Sequence, residues 1–587
     1  MVYLIMKQTN KLGALRHTAE HVLHTAMQKL YPKLKKAMGP ATEDGFYFDF
    51  DLNTKISEDD FGKIEGQMKK IINQDLPLKQ KNISLSEAKK IFKNNPYKLD
   101  WIDRITKKGE KISVYTLGDI DLDICSGPHL ASTDQIKAFK LLSVAGAYWH
   151  GDEKNKMLTR IYGTAFENKK ELKNHLNNLE EAKKRDHRKL GKELDLFVIS
   201  EDIGKGLPLL TSKGTIIKNQ ILEYERKLEK KAGFTEVTTP HIAKNDLYKR
   251  TGHWQHYRDA MYAPFGIDKE TYVLKPMNCP HHYMIYESRP RSYKDLPIRL
   301  SEPGTCYRYE KTGELSGLTR VRALTIDDSH ILMTEKQIEP EFDLCIDMVI
   351  KMFKSFGLND YSVRLSLNDP DDNTKYIADS KIWKLAGDKL KKIVKKNKLK
   401  FEICTGEASF YGPKIDFIVK DAIGRKWQMS TLQLDLFMAK RLNLTYTDKN
   451  GDKKHPIILH RGLTGSLERT LGLLIEHYAG AFPVWLAPIQ VTLIPISDSQ
   501  APYAKKVKKA LQDLNIRVET DNRSESMQAR IRDTETQKVP FILILGAREE
   551  SKGQVAVRVR GKGNQGAVSL DKFIQKISRQ IETKAIN

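Results

Sequence analysis

Residues 306–330 read CYRYEKTGELSGLTRVRALTIDDSH, and this stretch decides the fold. Arg308 and Glu310 stand two apart on a predicted strand, so both point to one face. There an arginine can pair with an α-phosphate, and the carboxylate can accept from an adenine amino group. Arg320 follows a glycine-containing loop and is placed to close over such a ligand. The segment runs on as a β-rich stretch, RALTIDDSHILM (322–333). Others like it are TYVLKP (271–276), KIDFIVKD (414–421) and WQMSTLQLDLFM (427–438). They predict a large, mainly antiparallel sheet flanked by helices.

Outward from this stretch lie KPMNCPHH (275–282) and LHRGLTGSLERTLG (459–472). Cys279, His330 and His460 offer one thiolate and two imidazoles, a three-ligand zinc set with an open fourth position. Such a site grips a substrate or a water rather than a fold. Arg469 sits near the start of a predicted helix among small residues, where a flat ring can stack on its guanidinium. Three arginines and a metal set point to activation of a small ligand at the cost of a nucleotide. No P-loop or GxGxxG cradle occurs between a strand and a helix, so those nucleotide folds are not supported.

With 587 residues the chain is too long for one core. Lys plus Arg number 99 against 75 Asp plus Glu, a formal charge of +24. That excess favours a polyanionic partner, nucleic acid first; a basic surface without purpose is the plainer alternative. Five cysteines form no disulfide framework and suit reduced cytoplasm. The opening MVYLIMKQTN is too short for a signal-peptide core, and no run is fit to span a membrane.

Four blocks follow. Residues 1–165 mix β-like runs (GFYFDF, KISVYTLG, MLTRIYG) with helices, an α+β domain. Residues 166–196 are densely charged with leucines at helical spacing, one long solvated linker helix. Residues 197–488 hold the sheet, preceded by a helix over 215–232 closed by Gly233 and a strand FTEVTTP. Residues 489–587 alternate strands (VTLIPI, RVETD, FILILG, QVAVRVR) with helices rich in Lys and Arg, a small α/β domain with a partly parallel sheet.

The first block carries a second constellation. His17 and His21, in RHTAEH, share a helix face at i and i+4. Cys125 and His129, in DICSGPH, repeat that spacing, and HxxxH with CxxxH also reads as a four-ligand metal site. His24 lies near the same face, outside the motif.

These segments carry a resemblance. The helix, strand and proline ending at Pro240 resemble motif 1 of class II aminoacyl-tRNA synthetases. The RYE segment to Arg320 resembles motif 2, and GSLERTLG resembles motif 3. More narrowly, TGHWQHYRDAM, KPMNCPHH, RVRALTIDDSHI, SFYGPKIDF, WQMSTLQLD, ILHRGLTGSLER and the linker EAKKRDHRKLGKELDLF are similar in order and spacing to the threonyl-tRNA synthetases.

The resemblance implies a homodimeric, cytoplasmic enzyme. It would join L-threonine to tRNA(Thr) with Mg2+–ATP and hydrolyse mischarged Ser-tRNA(Thr). Cys279, His330 and His460 would hold Zn2+, which would take the amino group and hydroxyl of threonine and so reject valine. Asp328 would receive the hydroxyl, and Tyr411 and Gln433 would line the amino-acid pocket. Arg308, Arg320 and Arg469 would hold ATP, with Glu310 and Gln428 fixing adenosine; His253 would assist transfer to the ribose. Serine keeps the hydroxyl and lacks only a methyl group, worth about 1–3 kcal/mol in a pocket, so a second, hydrolytic site is needed. His17, His21, Cys125 and His129 would form it, without requiring a metal. Tyr47, Lys98 and Asp123 would contact substrate or activate water. Glu549 and Arg558 would read anticodon bases.

The chain also departs from the family pattern. The editing motif starts at His17, which implies a form without the ubiquitin-like domain that usually precedes it. Ala323, Leu324 and Ile326 stand where a Gly-Phe pair and a glutamine are usual, Met429 replaces a cysteine, and Ser524 an asparagine. Altered affinity rather than lost activity is expected.

Overall fold

The computed structural model describes residues 11–372, 374–377 and 379–586; the opening MVYLIMKQTN lies outside them. The chain divides into two compact units, residues 1–180 and 181–587.

In the first unit, helix α1 (Lys11–Leu30) buries Ala19, Val22, Leu23 and Ala26. They share one core with Phe46, Phe48 and Phe50 of strand β1 (Phe46–Asp51). Strand alternation sends Tyr47 and Asp49 to the opposite face. There Arg160 lies 3.9 Å over the Tyr47 ring and pairs with Asp49 at 2.6 Å. Helix α2 (Pro96–Lys107) and strand β2 (Asp121–Ile124) complete the part of this unit that concerns the second constellation. Strands β3 (Ala138–Tyr148) and β4 (Met157–Phe166) finish the sheet, with β4 between β1 and β3.

The linker is not one helix. Helix α3 (Lys169–Arg185) is solvated along its length, as its charge predicts, but Asp186 ends it. The Asp186 carboxylate accepts from Arg188 N at 2.8 Å and starts helix α4 (His187–Glu193), which buries His187, Leu190 and Gly191. Local N-capping overrides the continuous leucine spacing.

Helix α5 (Ser212–Lys231) starts one turn before the expected 215, because Thr211 caps it by accepting from Gly214 N. Gly233, at φ +78°, takes the left-handed position beyond its end. Of FTEVTTP, only Thr235–Glu236 is strand.

Among the described residues, the central sheet has eight strands. Their order is Thr235–Glu236, β5 (Ile298–Tyr307), β6 (Ala323–Met333), β11 (Ile457–Ser466), β10 (Lys426–Asp435), β9 (Lys414–Lys420), β7 (Tyr361–Leu367) and β8 (Phe401–Thr405). All pairings are antiparallel except those at the two margins. Alternation splits each strand. Ile331, Met333, Leu459, Leu432 and Phe417 pack against a helical layer with Ile217, Phe342 and Leu471. Asp328, His460, Thr431 and Gln433 face a cavity.

Helix α6 (Cys279–Glu287) precedes the sheet's hairpin β5–β6, and helix α9 (Leu467–Tyr478), after α7 (Ile338–Ser355) and α8 (Ser380–Lys396), follows β11 directly. The last block is a five-stranded sheet, β13 (Val518–Thr520), β12 (Val491–Pro495), β14 (Phe541–Leu545), β15 (Gln554–Val559) and β16 (Gly563–Ser569). Its first three strands are parallel and the last two antiparallel, as the alternation predicts.

Candidate active site

A cavity of about 710 Å³ opens on the polar face of the central sheet. At its floor, Cys279 at the head of α6 meets His330 of β6 and His460 of β11, cross-strand partners in register. One donor atom from each lies within 4.8 Å of the others, and all three residues are buried.

The hydrogen bonds around this set decide its chemistry. His330 Nδ1 is 2.8 Å from His282 Nδ1, and His282 Nε2 is 3.1 Å from Glu302 Oε2. The carboxylate accepts, so His282 carries its proton on Nε2 and His330 donates from Nδ1. His460 Nε2 donates to Asp435 Oδ2 at 3.1 Å. This leaves His330 Nε2 and His460 Nδ1 as lone-pair nitrogens, and both are buried with no hydrogen-bond partner among the described residues. Two orphaned nitrogens beside a thiol, each ring braced from behind, fit a zinc ion. Burial, then His460 and His282, lowers the His330 pKa well below its ordinary value, so the ring is neutral and fit to ligate. Burial alone would raise the Glu302 carboxyl, but hydrogen bonds from His282 and Thr239 and the Lys275 charge hold it down to about 2.

Tyr411 stacks on His460, ring centres 4.7 Å apart, and its hydroxyl donates to Gln433 Oε1. Asp328 faces the same space, its Oδ2 accepting from Asn278 Nδ2 at 3.4 Å. Burial raises its pKa. Leu324, Ile326 and Met429, three of the residues that depart from the family pattern, line the cavity.

Arg308 and Glu310 are not on a strand: β5 ends at Tyr307, and a bond from Glu310 N to Arg308 O at 2.9 Å tightens the chain there. Arg308 lines the cavity and donates to Pro276 O at 3.3 Å. Glu310 instead binds Arg320, whose guanidinium spans Glu310 at 2.8 Å and Glu314 at 3.1 Å. Arg469, in the first turn of α9, stands near both arginines. Partial burial lowers its pKa, and the like charges of Arg308 and Arg320 lower it further, with Glu310 opposing. A polyanion would relieve that repulsion. Gln428 lines the cavity with its amide fixed, donating to Asp416 Oδ1 at 2.8 Å and accepting from Arg364 at 3.0 Å.

His253 is fully buried; its Nδ1 is 2.8 Å from Thr251 Oγ1 and Phe410 meets its ring edge-on. Burial lowers its pKa to about 3, and His256, stacked on Phe410, lines the cavity in front of it.

In the first unit, His17, His21, Cys125 and His129 do come together, one donor atom from each within 4.8 Å of the rest. Cys125 Sγ lies 3.3 Å from His17 Nε2 and 3.1 Å from His129 Nε2. Burial lowers the His17 pKa to about 4 and that of His129 to about 2, so both rings are neutral, and burial keeps the thiol protonated. Behind them Lys98 of α2 pairs with Asp123 of β2 at 2.6 Å, and Lys36 with Asp121 at 2.6 Å. His24, outside the motif, is buried 3.0 Å from Asp121. Tyr47 is misplaced by the sequence reading: it lies on the far face of β1, whereas Phe48 meets His24 at 4.8 Å and Lys98 at 5.4 Å.

Glu549 and Arg558 are not brought together. Glu549, just past the end of β14, caps its own short helix by accepting from Gly546 N at 3.2 Å. Arg558 sits opposite Ile542, toward the start of that strand, and pairs with Glu535 at 3.2 Å. Ser524 is exposed.

The sequence reading missed the residues behind the ligands. His282 falls three after Cys279 on a helix, and Asp435 two after Gln433 on a strand, so both were legible from periodicity. Glu302 and Asp121 carried no local signal.

Residues 265–478 match the tRNA synthetase class II core domain (G, H, P, S and T), and 490–580 an anticodon binding domain. Residues 112–162 match the threonyl and alanyl tRNA synthetase second additional domain. The chain is 46% identical over 575 residues to threonine–tRNA ligases of Rubrobacter xylanophilus and Staphylococcus aureus, covering 98% of this chain and 89% of each relative. It also superposes with TM-score 0.64 on the RNA binding domain of threonyl-tRNA synthetase from Cryptosporidium parvum, at 33% identity over 67% of this chain and 98% of that one. No helix among the described residues is long and apolar enough to cross a membrane. With three family matches along its length and near-full coverage of close relatives, the chain belongs to the threonine–tRNA ligase family of class II aminoacyl-tRNA synthetases.

Proposed function

We propose that the cavity of the second unit activates L-threonine with Mg2+–ATP and transfers it to tRNA(Thr). The observation that supports this most is the meeting, in one cavity, of a braced Cys-His-His set holding two orphaned nitrogens with Arg308 and Arg469. Zinc held by Cys279, His330 and His460 would supply a Lewis-acid seat for the amino group and hydroxyl of threonine. Asp328 accepts the hydroxyl proton, and the Tyr411–Gln433 pair closes the pocket around the amino acid. Arg308 and Arg469, with Arg320 swung from its acidic partners, hold the phosphates in line. The threonine carboxylate then attacks the α-phosphorus and pyrophosphate leaves. Gln428, pinned by Asp416 and Arg364, presents a fixed amide to the adenosine. In the second step a tRNA ribose hydroxyl attacks the carbonyl carbon and AMP leaves. His253 supports the wall formed by Phe410 and His256 beside that path.

In this reading residues 1–165 hydrolyse Ser-tRNA(Thr) with His17, His21, Cys125 and His129, residues 166–196 link, 197–488 catalyse, and 489–587 bind the anticodon through Arg558. The enzyme is a cytoplasmic homodimer. Threonine-dependent ATP–pyrophosphate exchange by the zinc-replete protein tests the reading. Exchange with threonine, less with serine and none with valine is expected; no exchange with threonine overturns it.

A further inference from the structure

Motif 2 and motif 3 meet through a residue that belongs to neither. The turn Ser316–Arg320 is closed by Thr319 N to Ser316 O at 2.8 Å and Arg320 N to Ser316 O at 3.2 Å. Backbone groups of two neighbouring residues of this turn are held from the direction of α9. Arg469 Nε donates to Thr319 O at 3.3 Å. Leu318 N donates to His187 Nε2 at 3.0 Å, and His187 Nδ1 donates to Glu476 Oε1 at 2.6 Å. Glu476 lies seven residues after Arg469, two turns along the same face of α9.

The partners fix the imidazole. A backbone N–H can only donate, so Nε2 is the lone-pair nitrogen, and the proton sits on Nδ1, facing the carboxylate. The His187 ring is buried at 3% exposure, and Glu476 also accepts from the His187 backbone N at 3.1 Å. Gly317 has φ +47°, and a Cβ there would stand 2.1 Å from His187 Nε2. Glycine at this position is what admits the ring to the turn.

We propose that His187, on the linker segment α4, is a positioning residue for adenylate formation: it holds the motif 2 turn, and with it Arg320, against α9. This rests on the reading of Arg320 and Arg469 as nucleotide-binding residues. Arg469 must exchange Thr319 O for a phosphate when the nucleotide enters. The tie through His187 has no second task, so it keeps the turn in place while Arg469 is engaged elsewhere.

Two substitutions separate this role from simple packing. His187→Asn retains a donor for Glu476 but cannot reach Leu318. His187→Gln can place its carbonyl oxygen near Nε2 and accept from Leu318. In ATP–pyrophosphate exchange with the full zinc-replete chain, His187→Asn raises KM for ATP about tenfold and His187→Gln by no more than about threefold, one buried hydrogen bond's worth. KM for threonine stays within about twofold of the parent in both, since Asp328, Tyr411 and Gln433 of the amino-acid pocket lie outside the turn. Gly317→Ala, which presses on the ring and also strains the turn at φ +47°, raises KM for ATP at least as far as His187→Asn, and an unchanged KM for ATP in it overturns the proposal should His187→Asn fold poorly. Asn and Gln variants alike in KM for ATP, or ATP and threonine constants moving together, overturn the proposal. A parent chain with no exchange at all would instead overturn the function on which it rests.

Discussion

Two clusters of cysteine and histidine stand in this chain, and by spacing alone the quartet of the first unit looks more like a metal site than the triad of the second. His17, His21, Cys125 and His129 form HxxxH with CxxxH, four ligands in a familiar pattern. Cys279, His330 and His460 come from three distant segments and number only three. The structure separates them by open valence. In the quartet the thiol lies 3.3 Å from a ring nitrogen of His17 and 3.1 Å from one of His129, so these three side chains engage one another. In the triad, His282 and Asp435 engage the rear nitrogens and leave His330 Nε2 and His460 Nδ1 buried without a partner. Leaving two such groups unmet costs about 1–3 kcal/mol each, and a cation removes that cost. What lies behind the ligands carries more information than how they are spaced.

Metal analysis separates the two clusters most directly. Parent protein should carry one zinc per chain, Cys279→Ala none, and Cys125→Ala one. Cys279→Ala should also abolish threonine-dependent exchange. Loss of a zinc from Cys125→Ala would place a metal in the quartet and reverse the contrast. Next in size, His17→Ala should slow Ser-tRNA(Thr) deacylation by about 10²–10⁴-fold, the usual worth of a general acid–base group. Threonine activation should be unchanged, and equal deacylation by variant and parent would remove His17 from the hydrolytic site.

Acid should also distinguish the clusters. The unfolded chain takes up a proton on His17 near 6.5, whereas the folded chain does so only near 4. Stability is therefore complete above pH 6.5 and is lost as pH falls from there to about 4, with no further loss from this group below. The cost reaches about 3 kcal/mol at most for a shift of this size. Thermal melts of the full chain between pH 7 and 4.5 should fall more steeply for the parent than for His17→Gln. Parallel curves would show that the ring does not titrate as a free base.

Behind the triad, His282→Ala should weaken zinc binding by about 10–100-fold while leaving all three ligands in place, as loss of an outer partner does. Competition with a chromogenic chelator measures it. Unchanged affinity would mean that the orphaned nitrogens, not their bracing, set the site.

Much of this was legible before the structure. Alternation holds locally around Asp328, His330, Gln433 and His460, so these residues of the polar face were readable as such, whereas the register shifts near Ile326 and Ile418 were not. The order of the last block's strands and helices gave its partly parallel sheet. Other features were not local. The linker breaks at Asp186 because one carboxylate caps α4, a contact that leucine periodicity does not register. Arg308 leaves the strand because the chain turns after Tyr307. The partners Glu302, Asp121 and Glu476 lie far in sequence from the histidines they hold, and pairing at that range comes only with the fold.

The smallest expected effect tests the one site residue the sequence put on the wrong face. In GFYFD both Tyr47 and Phe48 are aromatic, and a hydroxyl near a hydrolytic centre suggests chemistry. A strand allows only one of two neighbours to face α1. Phe48 takes that place, 4.8 Å from His24, while the Tyr47 ring lies under Arg160 on the other side of the sheet. Tyr47→Phe keeps the ring beneath the guanidinium and should leave deacylation within about twofold of the parent. Phe48→Ala opens a gap beside His24 and Lys98 and should slow deacylation about tenfold or more, with a stability loss of about 3–5 kcal/mol from the emptied core. If instead Tyr47→Phe were the slow variant, the hydroxyl would have to reach the histidines through the sheet, and the register of β1 against β4 would be wrong by one residue.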